Sequence, residues 1–286
     1  MSLSPKPCEA GGVTVDRARD FARAQPTVSL ASCPECGGTG LYRTQVEDNH
    51  RTYQAVARCP RAKLLDRTVL FNEAHLPAVH AGSTFVTWKP KNTEQARGFD
   101  VAKDFALRYP ATRGFILSGP VGTGKTHLLV AALRHLTLEL GVRSGYVELS
   151  LLYAQIRRGF QDGKSGGEII QPLCQLDVLA IDELGKGRGS VFELETLEEL
   201  IARRYNAGGL TLFATNYSLK AAEERAQRGL IDTATLLEAG KDSKLLCDRV
   251  GDRIFSRLCE MCEFVEFPTA TPDARRSSAP LPRKRP

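Results

Sequence analysis

Gly119, Pro120, Val121, Gly122, Thr123, Gly124, Lys125 and Thr126 stand in the order G-x-x-x-x-G-K-T. Each residue type there has a job in phosphate chemistry. Glycines allow backbone N–H groups to turn inward around phosphate oxygens. Lys125 reaches the β- and γ-phosphates of a nucleoside triphosphate, and the Thr126 hydroxyl ligates Mg²⁺. His127 completes the run. A plain glycine turn would not call for Lys-Thr at its end. The flanks agree, since residues 114–118 read as a buried strand and residues 126–140 as a helix stopped by Gly141. A helix opened by this loop adds its N-terminal partial positive charge to the site. The chain is expected to bind ATP with Mg²⁺.

A second apolar run, residues 176–181, ends in Asp182 and Glu183. Asp182 at a strand's end can hold Mg²⁺, and Glu183 can polarise the water that attacks the γ-phosphate. Any strand entering a polar loop looks like this by itself, so the pairing with the phosphate loop carries the reading. A third run, residues 210–214, ends in Thr215 and Asn216. If its strand lies between the other two, Asn216 reaches the γ-phosphate and orients the water; otherwise Thr-Asn simply opens a turn. Arg249, Arg253 and Arg257 recur every four residues, one helical face. That face is either solvated or presents an arginine to a γ-phosphate held by a neighbouring subunit.

These residues need elements to position them. Strand-like runs at 114–118, 146–149, 178–181, 210–214 and 264–267 alternate with helical patterns. Such alternation specifies an α/β fold with a mostly parallel sheet between helices. The expected division is an N-terminal tail and short helix over 1–27, a small cysteine-bearing module over 28–75, the nucleotide domain over 76–268, and a disordered basic tail over 269–286. A strand is expected at 53–57 and a helix at 93–108.

Of eight cysteines, Cys33 and Cys36 form a C-x-x-C knuckle followed by glycines, and Cys59 is a third thiol. Structural zinc needs four ligands. His50 is the nearest fourth, with His75, His80 or Cys8 as other options, and the alternative is a knuckle without metal. Cys259 and Cys262 repeat the spacing in an apolar stretch, where core packing is the better reading. The net charge is +6, and no apolar run is long enough to cross a bilayer as a helix. Without a signal-like apolar start the expected location is the cytoplasm.

Together the segments 119–127, 176–188, 213–218 and 252–262 resemble the AAA+ ATPases of the DnaC/DnaI/IstB group, and the resemblance extends over residues 28–275. It implies a P-loop AAA+ core with a five-stranded sheet and a minimal lid. It implies a homo-oligomer with ATP at subunit interfaces, in which Arg257 matches the arginine finger and Arg253 is the fallback. Arg275 resembles a second nucleotide sensor. Related modules end in C-x-C, where this chain has Arg61. Single-stranded DNA contacts would come from Arg157, Arg158 and Lys164, or from Lys186 and Arg188 among the glycines at 185, 187 and 189. The segment 220–247 is longer than the group's pattern. The resemblance implies a partner, a replicative helicase to be loaded or, alternatively, a transposase to be assisted. A third reading is an ATP-responsive adaptor with little turnover.

Overall fold

In the computed structural model, which describes residues 8–48, 51–187, 189–219 and 243–277, the chain divides into two units. Among the described residues, one comprises those from 8 to 82 with 134–143, the other those from 83 to 133 with those from 144 to 277.

The first unit carries two antiparallel hairpins. β1 (Val13–Ala18) pairs with β2 (Phe21–Pro26), and β3 (Leu41–Asp48) pairs with β4 (Arg51–Arg58), which contains the expected strand. α1 (Pro60–Glu73) follows. The short helix expected within 1–27 is thus a hairpin. The reason is a period of two: Ala22 and Ala24 are buried while Phe21, Arg23 and Gln25 are exposed. Arg19, with φ 48°, makes the reversal. Asn72 of α1 then fixes β2 by accepting from Ala24 N–H at 2.8 Å and donating to its carbonyl at 3.1 Å. The unit is also wider than the expected 28–75, because it takes in the π-helical turn Leu136–Leu140, against which α1 packs.

The second unit opens with α2 (Thr93–Leu107), capped by Asn92, whose side chain accepts from Gln95 N–H at 2.8 Å. Such a cap contributes about 1 kcal/mol. Next come β5 (Gly114–Ser118), α3 (Lys125–His135), β6 (Ser144–Glu148) and α4 (Leu149–Gln161). α5 (Gly166–Cys174) starts in a Ser165–Glu168 capping box and is followed by β7 (Val178–Asp182). α6 (Val191–Asn206) is capped by Ser190 and leads to β8 (Leu210–Thr215). α7 (Leu246–Val250), α8 (Asp252–Met261), β9 (Cys262–Glu266) and the single turn α9 (Ala274–Ser277) complete it.

Five strands form one sheet in the order β6-β7-β8-β5-β9, and every pairing is parallel. All residues of β5 and β7 are buried, as strands covered on both faces must be. Ile116, Ile181 and Phe213 of the sheet pack with Ile156 of α4, Leu200 of α6 and Leu258 of α8 in one core. Each such side chain contributes roughly 1.5–3 kcal/mol on burial. Arg204 of α6 is also fully buried. Its guanidinium donates to the carbonyls of Leu173, Leu176 and Leu210 and to the Thr211 hydroxyl. Burial lowers its pKa to about 10.

The order of strands positions the site. The chain leaves β5, fourth in the sheet, and returns in β6 at the edge, so β8 lies between β7 and β5. The carboxyl ends of β7, β8 and β5 therefore line up at a topological switch point, where α/β sheets bind ligands. Among the described residues only α9 follows β9, a minimal lid. No described helix is long and apolar enough to cross a membrane.

Candidate nucleotide site

The phosphate loop joins β5 to α3. Gly119, Gly122 and Gly124 have φ of 142°, 73° and 90°, values that favour glycine. Space demands glycine as well. A Cβ on Gly122 would lie 1.7 Å from Asp273 Oδ1, and one on Gly124 would lie 1.9 Å from the Trp88 ring. The loop is tied down by Gly119 N–H to Thr215 O at 3.2 Å and by Ala274 N–H to Gly122 O at 2.9 Å. Gln95 Nε2 holds the Thr123 carbonyl at 2.9 Å, and the Thr123 hydroxyl donates to Pro120 O at 2.9 Å. Val121 points outward, exposed.

Lys125 is only 7% exposed, and its Nζ donates to the carbonyls of Gly119 and Pro120, each at 2.7 Å. Burial lowers its pKa to about 8, opposed by the Asp182 charge and assisted by the Arg275 charge. A cation inside a cradle of positive-φ glycines at a helix N-terminus fits a polyphosphate anion.

Asp182 receives two hydroxyl hydrogen bonds on Oδ2, from Thr126 Oγ1 at 2.7 Å and from Tyr146 at 2.9 Å. A hydroxyl beside a carboxylate suits Mg²⁺, which takes oxygen ligands. Glu183 follows in a left-handed conformation, φ 57°, a strain of the kind found at functional sites. It aims a quarter-exposed carboxylate away from the core, where Lys186 Nζ meets both oxygens at 2.6 Å. Ser150 adds a hydroxyl at 3.3 Å. Asn216 is exposed at the end of β8, between the strands that end in the loop and in Asp182.

Comparison with known proteins agrees with this geometry. The family model for the IstB-like ATP binding protein matches residues 101–238. The replicative helicase loader DnaC of Escherichia coli (strain K12) is 26% identical over 189 residues, covering 64% of this chain and 74% of that protein. The phage-like element PBSX protein XkdC of Bacillus subtilis (strain 168) is 30% identical over 198 residues, 64% of this chain and 70% of its own. The crystal structure of the DnaC helicase loader superposes with a TM-score of 0.55 at 26% identity, covering 66% of this chain and 99% of that one. The chain belongs to the DnaC/IstB-like AAA+ ATPases.

Within this AAA+ fold the structure sorts the remaining candidates. His127 serves as a scaffold: Nε2 lies 2.9 Å from Thr84 O, and its ring packs against Trp88 at 5.3 Å. The three arginines do not share one helical face, because Gly251, φ 83°, separates α7 from α8. Arg249 lies over the Tyr217 ring at 5.0 Å and donates to Gly185 O and Gly187 O. Arg253 and Arg257 both face Glu198 of α6 at 3.8 Å. One guanidinium nitrogen of Arg257 is buried without a hydrogen-bond partner. Arg188, His50, residues 220–242 of the long segment 220–247 and residues 278–286 of the expected tail lie outside the described residues.

Residues 269–277 depart from the expected disordered tail. Thr271 Oγ1 accepts from Asn92 Nδ2 at 3.0 Å, Ala274 N–H bonds the phosphate loop, and Arg275 N–H donates to Asp273 Oδ1 at 2.9 Å. Asp273, Trp88 and Tyr146 are site residues that sequence reasoning missed. Trp88 carried a signal, being the chain's one tryptophan; Tyr146 and Asp273 had none that spacing reveals.

The N-terminal unit of this AAA+ protein holds a second cluster. Cys8 Sγ lies 3.4 Å from both Cys33 Sγ and Cys59 Sγ, which are 3.6 Å apart. Cys36 is buried in the same cluster. Zinc–sulfur bonds of about 2.3 Å in a tetrahedron put sulfurs about 3.8 Å apart, so the Cys8, Cys33 and Cys59 thiols fit three positions of such a site, with Cys36 buried beside them. Burial pushes the Cys33 thiol up, but N–H groups of Cys36 and Glu35 and the Cys8 thiol outweigh it, to about 6. Cys8, one of the options for the fourth ligand, lies beside Cys33 and Cys59, whereas His75 packs edge-on against Phe21. Arg61, at the position of the missing cysteine, donates to the carbonyls of Glu9, Ser29 and Ser32. It fastens the segment bearing Cys8 to the knuckle. The C-x-x-C of Cys259 and Cys262 splits, with Cys262 buried in the core and Cys259 exposed.

Proposed function

We propose that this chain hydrolyses ATP and uses the cycle to load a replicative helicase onto single-stranded DNA. The hydrogen bond between Thr126 and Asp182 carries the reading, because it unites the phosphate loop with the acidic strand end. Glu183 takes the proton as water oxygen bonds to the γ-phosphorus and the bond to ADP breaks. Asn216 orients that water, and Lys125 holds the β- and γ-phosphates. Thr126 and Asp182 would hold Mg²⁺, which would supply charge neutralisation at the phosphates. Arg257, with Arg253 as fallback, acts across a homo-oligomer interface, consistent with its pairing to a surface carboxylate at 3.8 Å. Arg275, whose charge Lys125 feels, contacts nucleotide from the lid. Gly119 to His127 form the rest of the nucleotide site.

The helicase partner is supported by the likeness to proteins named replicative helicase loaders. Zinc on Cys8, Cys33, Cys36 and Cys59 has a structural role, shaping a docking module for that partner. The protein works in the cytoplasm, touching single-stranded DNA through basic residues such as Arg157, Arg158, Lys164, Lys186 and Arg188.

Glu183→Gln should abolish phosphate release and trap the ATP-bound assembly. Affinity capture from the native host with this variant should recover a replicative helicase. Recovery of a transposase would favour the IstB-type role, and absence of Glu183-dependent turnover would leave an ATP-responsive adaptor.

A further inference from the structure

Lys186 is the one described cation seen on both oxygens of Glu183, each at 2.6 Å. A carboxylate engaged on both oxygens by an ammonium is a poor acceptor for the proton of an attacking water. The pair is open to solvent, with Lys186 53% exposed, so a competing anion can displace it.

The loop around Lys186 is built for such an exchange. Gly185, φ 82°, and Gly189, φ 68°, take conformations that favour glycine, and a Cβ on Gly187 would fall 2.6 Å from the Glu193 carboxylate. Arg249 holds the loop by donating to Gly185 O at 2.9 Å and Gly187 O at 3.0 Å. Because Arg249 lies over Tyr217, the residue after Asn216, the loop is tied to the end of β8. Glu148 also lies against Glu183 and its pKa is raised, chiefly by burial. Ser150 Oγ reaches Glu148 at 2.6 Å and Glu183 at 3.3 Å, so a second carboxylate stands beside the pair.

We propose that Lys186 is a shared cation, clamping Glu183 until a backbone phosphate of single-stranded nucleic acid takes the ammonium and leaves the carboxylate free. Arg249 is the positioning residue that keeps Lys186 within reach of both. The proposal rests on the ATPase reading of Glu183. Its chemistry is that of a lysine-bearing glycine loop meeting a phosphodiester backbone.

Coupling of this kind is reciprocal. The first measurement is therefore made on nucleotide-free full-length protein, by anisotropy of fluorescein-labelled oligo(dT). Glu183→Gln releases Lys186 and should tighten binding about fivefold, whereas Lys186→Ala should weaken it about as much. In the Lys186→Ala background the Glu183 substitution should have no further effect. The second measurement is phosphate release. Lys186→Ala should raise basal kcat several-fold at unchanged ATP KM and remove stimulation by oligo(dT), and Lys186→Arg should restore wild-type behaviour. Unchanged oligo(dT) affinity in Glu183→Gln, or a lowered basal kcat in Lys186→Ala, overturns the proposal. Absence of Glu183-dependent turnover in every variant would defeat the ATPase reading, while the binding cycle would still decide whether Lys186 is shared.

Discussion

Thr126 Oγ1 donates to Asp182 Oδ2 at 2.7 Å, joining the first turn of α3 to the end of β7. Lys125 lies one residue away on the same turn, 7% exposed. Lys125→Ala should abolish binding of a fluorescent ATP analogue. Thr126→Val should keep nucleotide binding without magnesium but lose most of the gain that magnesium brings. Titrations with and without Mg²⁺ separate the two roles.

Burial lowers the Lys125 pKa to about 8, and phosphate oxygens around the ammonium would raise it. Below pH 8 the lysine is charged in both states, so affinity is flat. Above it, binding must take up a proton, and affinity falls by up to about tenfold per pH unit. Dissociation constants measured from pH 6.5 to 9.5 test the sign. A flat curve to the alkaline end would contradict the shift.

Trp88 is the sole tryptophan, and its ring leaves no room for a Cβ at Gly124. Its indole nitrogen is buried without a hydrogen-bond partner. Intrinsic fluorescence should therefore change when an ATP analogue enters the loop, and the change should vanish in Lys125→Ala.

Arg204→Ala removes the donors that satisfy the carbonyls of Leu173, Leu176 and Leu210. Unpaired buried acceptors and a large cavity should cost about 3–5 kcal/mol. Urea unfolding should show a lower midpoint, while the nucleotide site, built by other residues, keeps its chemistry.

Purified protein never exposed to chelator should contain about one zinc per chain. Cys8→Ser should lower the zinc content, and Arg61→Ala should weaken retention by loosening the Glu9 segment. Full zinc content in Cys8→Ser would return the fourth position to another ligand.

The phosphate loop, Asp182, Glu183 and the five strands were legible because their chemistry sits in contiguous residues or a short period. The place of β8 between β7 and β5 was inferred conditionally and observed. Residues 17–24 misled because their alanines and arginines carry little strand propensity; the pairing and Asn72 decide the matter. Cys8 was one option among several for the fourth ligand, because at 25 residues from Cys33 no ligand spacing singles it out. Tyr146 and Asp273 reach the site only through sheet order and the return of the chain after β9.

The family match runs from residue 101 to 238, yet the phosphate loop is closed by Trp88 ahead of that span and by Asp273 and Ala274 beyond it. Homology limits and physical limits therefore disagree about what can be excised. A fragment trimmed to the matched residues would lose the indole, β9 and the carboxylate that shape the glycines from both sides. Any piece that preserves these contacts must reach from Trp88 to Ala274, and affinities measured on anything shorter will describe a different cradle.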